Sequence, residues 1–143
     1  VDVLIFYTNY NSEKGKAIAY NSNVSLSFFW PQLERQVIIK GNAEKTSSKV
    51  SDQYFNKRPI DSRLGAIVSN QSDVIEGREV LDNKLATLKI SLDEINIKRP
   101  AHWGGFIVKP ISFEFWQGRP NRLHDRFLFS FTNDNWSAKR LAP

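Results

Sequence analysis

Two alternating runs near the C-terminus constrain this chain more than anything else in it. Ile111, Phe113 and Phe115 alternate with Ser112, Glu114 and Trp116. A second run, Arg122-Leu123-His124-Asp125-Arg126-Phe127-Leu128-Phe129, follows close behind Phe115-Trp116-Gln117-Gly118. A period of two belongs to an extended strand, whose successive side chains point to opposite faces. In an extended second run, Arg122, His124 and Arg126 share one face. Leu123, Phe127, Phe129 and Phe131 share the other, with Asp125 the exception. The apolar face reads as core. The opposite face is a short cationic comb around an imidazole, suited to an anionic, ring-shaped ligand.

The first third also reads as strands. Val3 to Asn9 is β-branched and aromatic and ends at the turn-prone Asn9-Tyr10-Asn11-Ser12, after which Ser12 caps a helix over roughly Glu13 to Asn21. Val24 to Phe28 alternates and stops at Pro31, and Gln36 to Ala43 forms a further strand in which Gly41 marks a bulge. The middle turns helical. The spacing predicts helices over about Ser48 to Lys57, Asp61 to Ser69 and Arg78 to Glu94, the last carrying Leu81, Leu85, Leu88 and Leu92 on one stripe. Strands return with Trp103 to Val108, whose two glycines admit another backbone or a ligand, and the last strand is Trp136 to Leu141. About six strands with helices inserted between them predict an α+β domain built on an antiparallel barrel.

Composition narrows the function classes. A chain of 143 residues, 41% hydrophobic and 13% aromatic, buries a real core as one domain and is not a disordered tail. No apolar run approaches the ~20 residues of a membrane span, and no signal peptide is visible. There is no cysteine, which suits a reducing cytoplasm and excludes thiolate chemistry. Two histidines without cysteine offer no familiar zinc spacing, so no metal is expected. The excess of 20 Lys+Arg over 15 Asp+Glu favours anionic ligands without being a nucleic-acid signature. Methionine is absent too, and the chain opens directly on a β-prone run. The sequence is therefore expected to lack its native N-terminal part.

Three constellations carry chemistry. The first is the comb beside Trp116, a large aromatic on the otherwise polar face and so a stacking wall for a planar ligand. The bland alternative is a pair of solvated arginines with His124 at a hairpin rim. The second is Tyr54, Arg58 and Ser62: a phenol and a guanidinium four apart, then a hydroxyl after Pro59 where a helix starts, together a phosphate site. The alternative is an ordinary amphipathic helix. The third groups Tyr7, Thr8, Asn9, Ser12, Lys14 and Gln36, polar residues at a strand end before a helix start, which suit a second phosphate. Gln71-Ser72 alone reads as a polar loop. There is no dinucleotide fingerprint, phosphate loop or nucleophile elbow.

The stretches FYTN (6–9), LERQV (33–37), YFNKRP (54–59), NQS (70–72), WGGF (103–106), FWQG (115–118), RLHDRF (122–127) and RLAP (140–143) occur in an order that resembles the pyridoxamine 5'-phosphate oxidases, over nearly the whole chain. The resemblance implies an FMN-binding split β-barrel acting as a cytoplasmic homodimer with flavin at the subunit interface. It implies oxidation of pyridoxamine or pyridoxine 5'-phosphate to pyridoxal 5'-phosphate, a hydride passing from the exocyclic 4'-carbon to flavin and then O2 being reduced to H2O2. By position, Tyr7, Thr8, Lys14, Gln36, Gln71, Ser72, Trp116 and Arg126 match flavin contacts. Tyr54, Arg58 and Ser62 match the site for the substrate phosphate. Arg122, Leu123 and His124 match the segment over the pyridine ring, where Arg122 and His124 stand at the reacting centre.

Two departures qualify the likeness. The family's Ser-Arg-Lys turn is here Ser12-Glu13-Lys14, placing a carboxylate where a cation meets the flavin phosphate, unless Glu13 turns to solvent or pairs with Lys16 or Lys40. The family's Arg-x-Val-Leu-Leu-Lys segment, which contributes flavin contacts and a lysine to the substrate phosphate, lies upstream of Val1. Two rival readings follow: a non-catalytic barrel that holds flavin or pyridoxal phosphate, and a basic aromatic barrel binding single-stranded nucleic acid.

Overall fold

The computed structural model describes residues 3–91 and 97–143. In chain order the elements are β1 (Leu4–Asn9), α1 (Glu13–Tyr20), β2 (Asn23–Trp30), β3 (Arg35–Lys45), α2 (Ser48–Lys57), α3 (Ile60–Val68), α4 (Arg78–Ser91), β4 (Trp103–Gln117), β5 (Asp125–Thr132) and β6 (Asn135–Leu141). Short 3-10 turns occur at Pro31–Leu33 and Pro120–Arg122. Leu92 and Glu94, the expected end of the third helix, lie outside the described residues. No described helix is long and apolar enough to cross a membrane. The chain divides into two compact units. The first contains Asn21–Glu44 and Val108–Pro143 with the residues up to Leu4, and the second contains Ile5–Tyr20 and Lys45–Ile107.

In the first unit the strands hydrogen-bond in the order β2-β3-β4-β5-β6. β2 pairs antiparallel with β3 in unbroken register from Asn23↔Asn42 to Trp30↔Arg35. Gly41 therefore makes no bulge in this ladder. It is needed for close approach instead, because a Cβ there would run into the Lys109 backbone carbonyl. β4 pairs with β5 from Ser112↔Ser130 to Gln117↔Asp125, and β5 with β6 from Arg126↔Leu141 to Thr132↔Asn135. Ile39, Ala43 and Val108 are buried.

The expected core face of the C-terminal run is not buried within this chain. Ile111, Phe115, Leu123, Phe127 and Phe129 are all exposed, Leu123 at 69%. Alternation fixes which side chains share a face, but the burial of that face depends on what lies against it. Phe115 and Phe127 are directly opposite, as are Phe113 and Phe129, so the aromatic face is real. The start of the run also differs from expectation. β5 begins only at Asp125, because Pro120 opens a turn in which Asn121 and Arg122 take φ of 58° and 61°. Left-handed backbone costs a non-glycine residue roughly 1–2 kcal/mol. Arg122, His124 and Arg126 are consequently not teeth of one strand.

The second unit is built around Phe55, Leu64, Ile97 and Trp103, with Tyr7, Leu85 and Leu88 packed against them. Leu81, Leu85 and Leu88 are the half-buried stripe of α4, as their spacing predicts. α1 begins as expected: Ser12 Oγ accepts the Gly15 N–H (3.3 Å) and donates to the Asn9 carbonyl (2.7 Å). α2 has the predicted bounds, Ser47 Oγ accepting the Val50 N–H. The glycines of β4 admit side chains rather than backbone or ligand. A Cβ on Gly105 would lie 2.8 Å from Thr46 Oγ1 and 2.9 Å from Tyr7 Cε1, and one on Gly104 would meet the Tyr10 hydroxyl.

Candidate active site

A cavity of about 420 Å³ opens in the second unit, and Tyr7, Thr8, Arg58, Ser62, Gln71 and Trp103 are among its lining residues. The sequence builds it with one dipeptide. Pro59 disfavours helical backbone at the residue before it, and α2 ends at Lys57 with Arg58 extended (φ −74°, ψ 149°). The Arg58 guanidinium then lies over the Trp103 ring, 4.7 Å from its centroid. Its Nη1 is buried and has no hydrogen-bond partner. Ser62 lies in the first turn of α3, which restarts directly behind Pro59.

Aromatic rings form the other wall. Tyr7 and Tyr54 stack at 3.7 Å and 4°, and each lies nearly parallel to Trp103, at 5.7 Å and 6.3 Å. Burial pushes the Tyr7 phenol above its ordinary value, and the neighbouring Tyr54 and Tyr10 phenols add to this. Tyr7 is thus a neutral donor at physiological pH. Trp103 is itself held in place: Arg99 donates to its carbonyl (2.5 Å) and pairs with Asp52 (2.6 Å).

Polar groups gather at the end of β1. Thr8 Oγ1 donates to Gln71 Oε1 (2.9 Å), Lys14 Nζ donates to Thr8 Oγ1 (3.4 Å), and the Asn9 N–H reaches the same Gln71 oxygen (3.3 Å). Ser72 Oγ, on a residue with φ 76°, accepts the Glu13 N–H (3.3 Å). Cation, hydroxyls and amide thus converge at the start of α1, where the helix dipole favours an anion. The Glu13 side chain is exposed to solvent.

The first unit holds a second cavity, of about 370 Å³, with Trp30, Gln36, Phe115, Trp116 and Phe127 in its lining. Gln36 Nε2 donates to Ser27 Oγ (3.1 Å). Trp116 faces Arg126 across the β4–β5 ladder, and its ring centroid is 4.9 Å from that of His124. Arg126 is engaged by Glu114 (2.7 Å) and by the Ala142 carbonyl (3.0 Å). His124 Nδ1 accepts the Arg119 N–H (3.1 Å).

Residues 2–91 match the family described as pyridoxamine 5'-phosphate oxidase, and residues 103–143 match its C-terminal dimerisation region, described for pyridoxine 5'-phosphate oxidase. The chain belongs to the pyridoxamine 5'-phosphate oxidase family. A pyridoxine/pyridoxamine 5'-phosphate oxidase of Flavobacterium johnsoniae is 58% identical over 139 residues, 96% of this chain and 65% of that protein. One from Christiangramia forsetii is 53% identical over 99% of this chain and 66% of that protein. The chain thus spans about two thirds of the length of these relatives. Among solved structures, PhzG from Burkholderia lata 383, in complex with tetrahydrophenazine-1-carboxylic acid, superposes with a TM-score of 0.87 at 26% identity, covering 97% of this chain and 68% of PhzG. An FMN-binding, oxidase-related protein of Nostoc punctiforme gives 0.75 at 16% identity, covering 100% and 73%. The fold is the α+β split barrel of these proteins.

Within this family member, the Tyr54–Arg58–Ser62 group comes together, and so does the Tyr7–Lys14 group apart from Gln36. Arg58 and Ser62 share a cavity, with Tyr54 stacked on the cavity's Tyr7. Lys14 and Thr8 meet Gln71, and Ser72 meets the start of α1, although Gln71-Ser72 alone reads as no more than a loop. Gln36, grouped with Tyr7 and Lys14 in the sequence, belongs instead to the first unit with Trp116. Trp103 was missed by sequence reasoning as a site residue. Its signal is the pair of glycines behind it, which lets Tyr7 and Tyr10 close on the strand that carries it.

Proposed function

We propose that this chain belongs to a cytoplasmic, FMN-dependent oxidase that converts pyridoxamine or pyridoxine 5'-phosphate to pyridoxal 5'-phosphate. Bound FMN supplies a hydride acceptor for the substrate's 4'-carbon and returns the electron pair to O2, giving H2O2. The observation that carries the reading is the buried, unpartnered Nη1 of Arg58 in a cavity shared with Ser62. A buried guanidinium nitrogen without a partner is costly unless an acceptor arrives, and a phosphate dianion is such an acceptor. Arg58, Ser62 and Tyr54 receive the substrate phosphate, and the Trp103 ring holds the guanidinium in place.

FMN is assigned to Tyr7, Thr8, Lys14, Gln71 and Ser72, and to Gln36, Trp116 and Arg126. The first set fits a phosphate by its donors; in the second, Trp116 and Gln36 line an aromatic cavity that fits a ring. Arg122, Leu123 and His124 cover the substrate's pyridine ring. His124 accepts at Nδ1 and so presents Nε2–H as a donor that orients the ring. Orientation is the main demand of hydride departure. We further propose a homodimer with FMN at its interface, supported by the dimerisation description of residues 103–143 and by the exposed aromatic face of β4 and β5.

The test is an aerobic assay of the protein as encoded, supplied with FMN and pyridoxine 5'-phosphate. Pyridoxal phosphate and peroxide are expected to form in equal amounts. A protein that turns yellow with flavin yet forms neither product is a binding protein, and the oxidase reading then fails.

A further inference from the structure

We propose that Asp125 is a positioning residue of this site. Its carboxylate clamps the turn Arg119–His124, and so fixes the placement of Arg122 and the tautomer of His124. The proposal rests on the functional reading above, in which Arg122 and His124 meet the substrate ring.

Asp125 is the first residue of β5 and pairs with Gln117 on β4, so its backbone belongs to the sheet. From there its side chain is held on both oxygens. Arg119 Nε lies 2.7 Å from Oδ2, and Arg140 Nη2 lies 2.9 Å from Oδ1. Arg140 comes from β6 and packs over the Phe127 ring, 4.8 Å from its centroid. One arm of the clamp is therefore the sheet and the other is the start of the turn. The Arg119 hydrogen bond, with the positive charge of both arginines, holds the Asp125 carboxyl below the usual carboxylate range.

The turn needs such a hold. Asn121 and Arg122 are both left-handed, and strained backbone persists only where its surroundings over-determine it. Within the turn the Leu123 N–H bonds the Pro120 carbonyl (3.2 Å), and the Arg119 N–H bonds His124 Nδ1 (3.1 Å). That second bond sets the chemistry. A ring nitrogen that accepts carries no proton, so neutral His124 has its hydrogen on Nε2. The same residue, Arg119, thus joins Asp125 through its side chain and His124 through its backbone. An isolated surface ion pair contributes little to stability. The value of this one lies in geometry, which also explains a carboxylate on an otherwise apolar face.

The test uses Asp125→Asn and Arg119→Gln in the full-length protein with FMN. Arg119→Gln keeps the backbone N–H that reaches His124 but removes its tether, so it decides the question if Asp125→Asn fails to fold. Two readouts are taken: steady-state kinetics with pyridoxine 5'-phosphate, and the imidazole 15N spectrum, which two histidines keep simple to assign. Wild type is expected to show His124 with an unprotonated Nδ1. Each folded variant is expected to show mixed tautomers and a KM raised about tenfold or more, with flavin retained. Asp125→Glu is expected to recover part of the loss. An unchanged His124 spectrum in a folded variant overturns the proposal, as does an unchanged KM in an active one. If wild type forms no product, the oxidase reading fails, and the imidazole spectrum alone decides the clamp.

Discussion

Replacing Arg58 by methionine should move stability and activity in opposite directions. In the ligand-free protein the guanidinium gains from Trp103, at 4.7 Å, a cation–π attraction of about 0.5–2 kcal/mol. Against this stands the buried Nη1 with no partner, which costs about 1–3 kcal/mol. Methionine keeps an apolar stem against the tryptophan and brings no donor to leave unsatisfied. The middle values of the two ranges, about 2 against about 1.2 kcal/mol, favour the variant by about 1 kcal/mol. For a chain of this size that is a rise in Tm of roughly 2–6 °C. With a phosphorylated substrate the sign reverses. The lost charge-assisted hydrogen bonds are worth about 1.5–3 kcal/mol, so kcat/KM should fall by about 10- to 150-fold at 1.4 kcal/mol per decade. The pair of measurements is a differential-scanning melt without ligand and an initial-rate assay with pyridoxine 5'-phosphate. A Tm lower by more than about 4 °C would show that Nη1 was not costly where it lies. A kcat/KM within threefold of wild type would remove Arg58 from the phosphate site.

Three further outcomes follow from the same geometry. Phe55 is fully buried at the centre of the second unit's core, so Phe55→Ala should cost about 3–5 kcal/mol, read as a lower urea midpoint at constant slope. The Tyr7 phenol has its pKa raised in the folded state, so between the ordinary value of about 10 and the raised one the unfolded chain has lost more protons. Stability should fall as pH climbs through that window, and Tyr7→Phe should flatten this alkaline branch in pH-dependent urea melts. Asp125 is the opposite case: its folded pKa is lowered, so its contribution is full above the ordinary value of about 4 and is lost as pH falls through the lowered one. Acid titration of Asp125→Asn should lack that component, and a curve superposing on wild type would contradict the clamp.

What the sequence made legible is the set of local decisions. The helical spacing before Pro59 locates α2 and the leucine stripe locates α4, because each depends on neighbours a few positions away. The Arg58 site was picked out by a different signal, a helical spacing of four from Tyr54, whereas the helix in fact ends at Lys57 and Arg58 is extended. The start of β5 was not. A period of two runs straight through Arg122, but Pro120 and two left-handed residues interrupt it. The available signal was Asn121, a residue type that tolerates positive φ, beside that proline. Trp103 was missed because its role depends on Tyr7, Tyr54 and Arg58, which are distant in sequence and meet only in the fold.

The inverted face of β4 and β5 is a different kind of failure, and it carries information. Periodicity assigns Phe115, Phe127 and Phe129 to one side and Trp116 and Arg126 to the other, as the ladder bears out. It gives no sign to the sides. Burial supplies the sign, and here the aromatic side is the exposed one: Phe115 stands 43% open, Phe127 39% and Phe129 36%. Solvent rarely borders so many aromatic rings in a row unless something else covers them. Under the proposed dimer, the cover is a second copy of the chain, and the apolar pattern written into Ile111 to Phe131 is then a core shared between two molecules. A lone chain cannot reveal that core as buried, however well its own fold is described. The polar side does not share this ambiguity. Glu114 and Arg126 satisfy each other across the ladder, and the Trp116 ring lies beside that of His124, within the chain itself. Under the proposed function, the aromatic face answers to assembly, and its Phe115 and Phe127 also line the cavity that Trp116 shares.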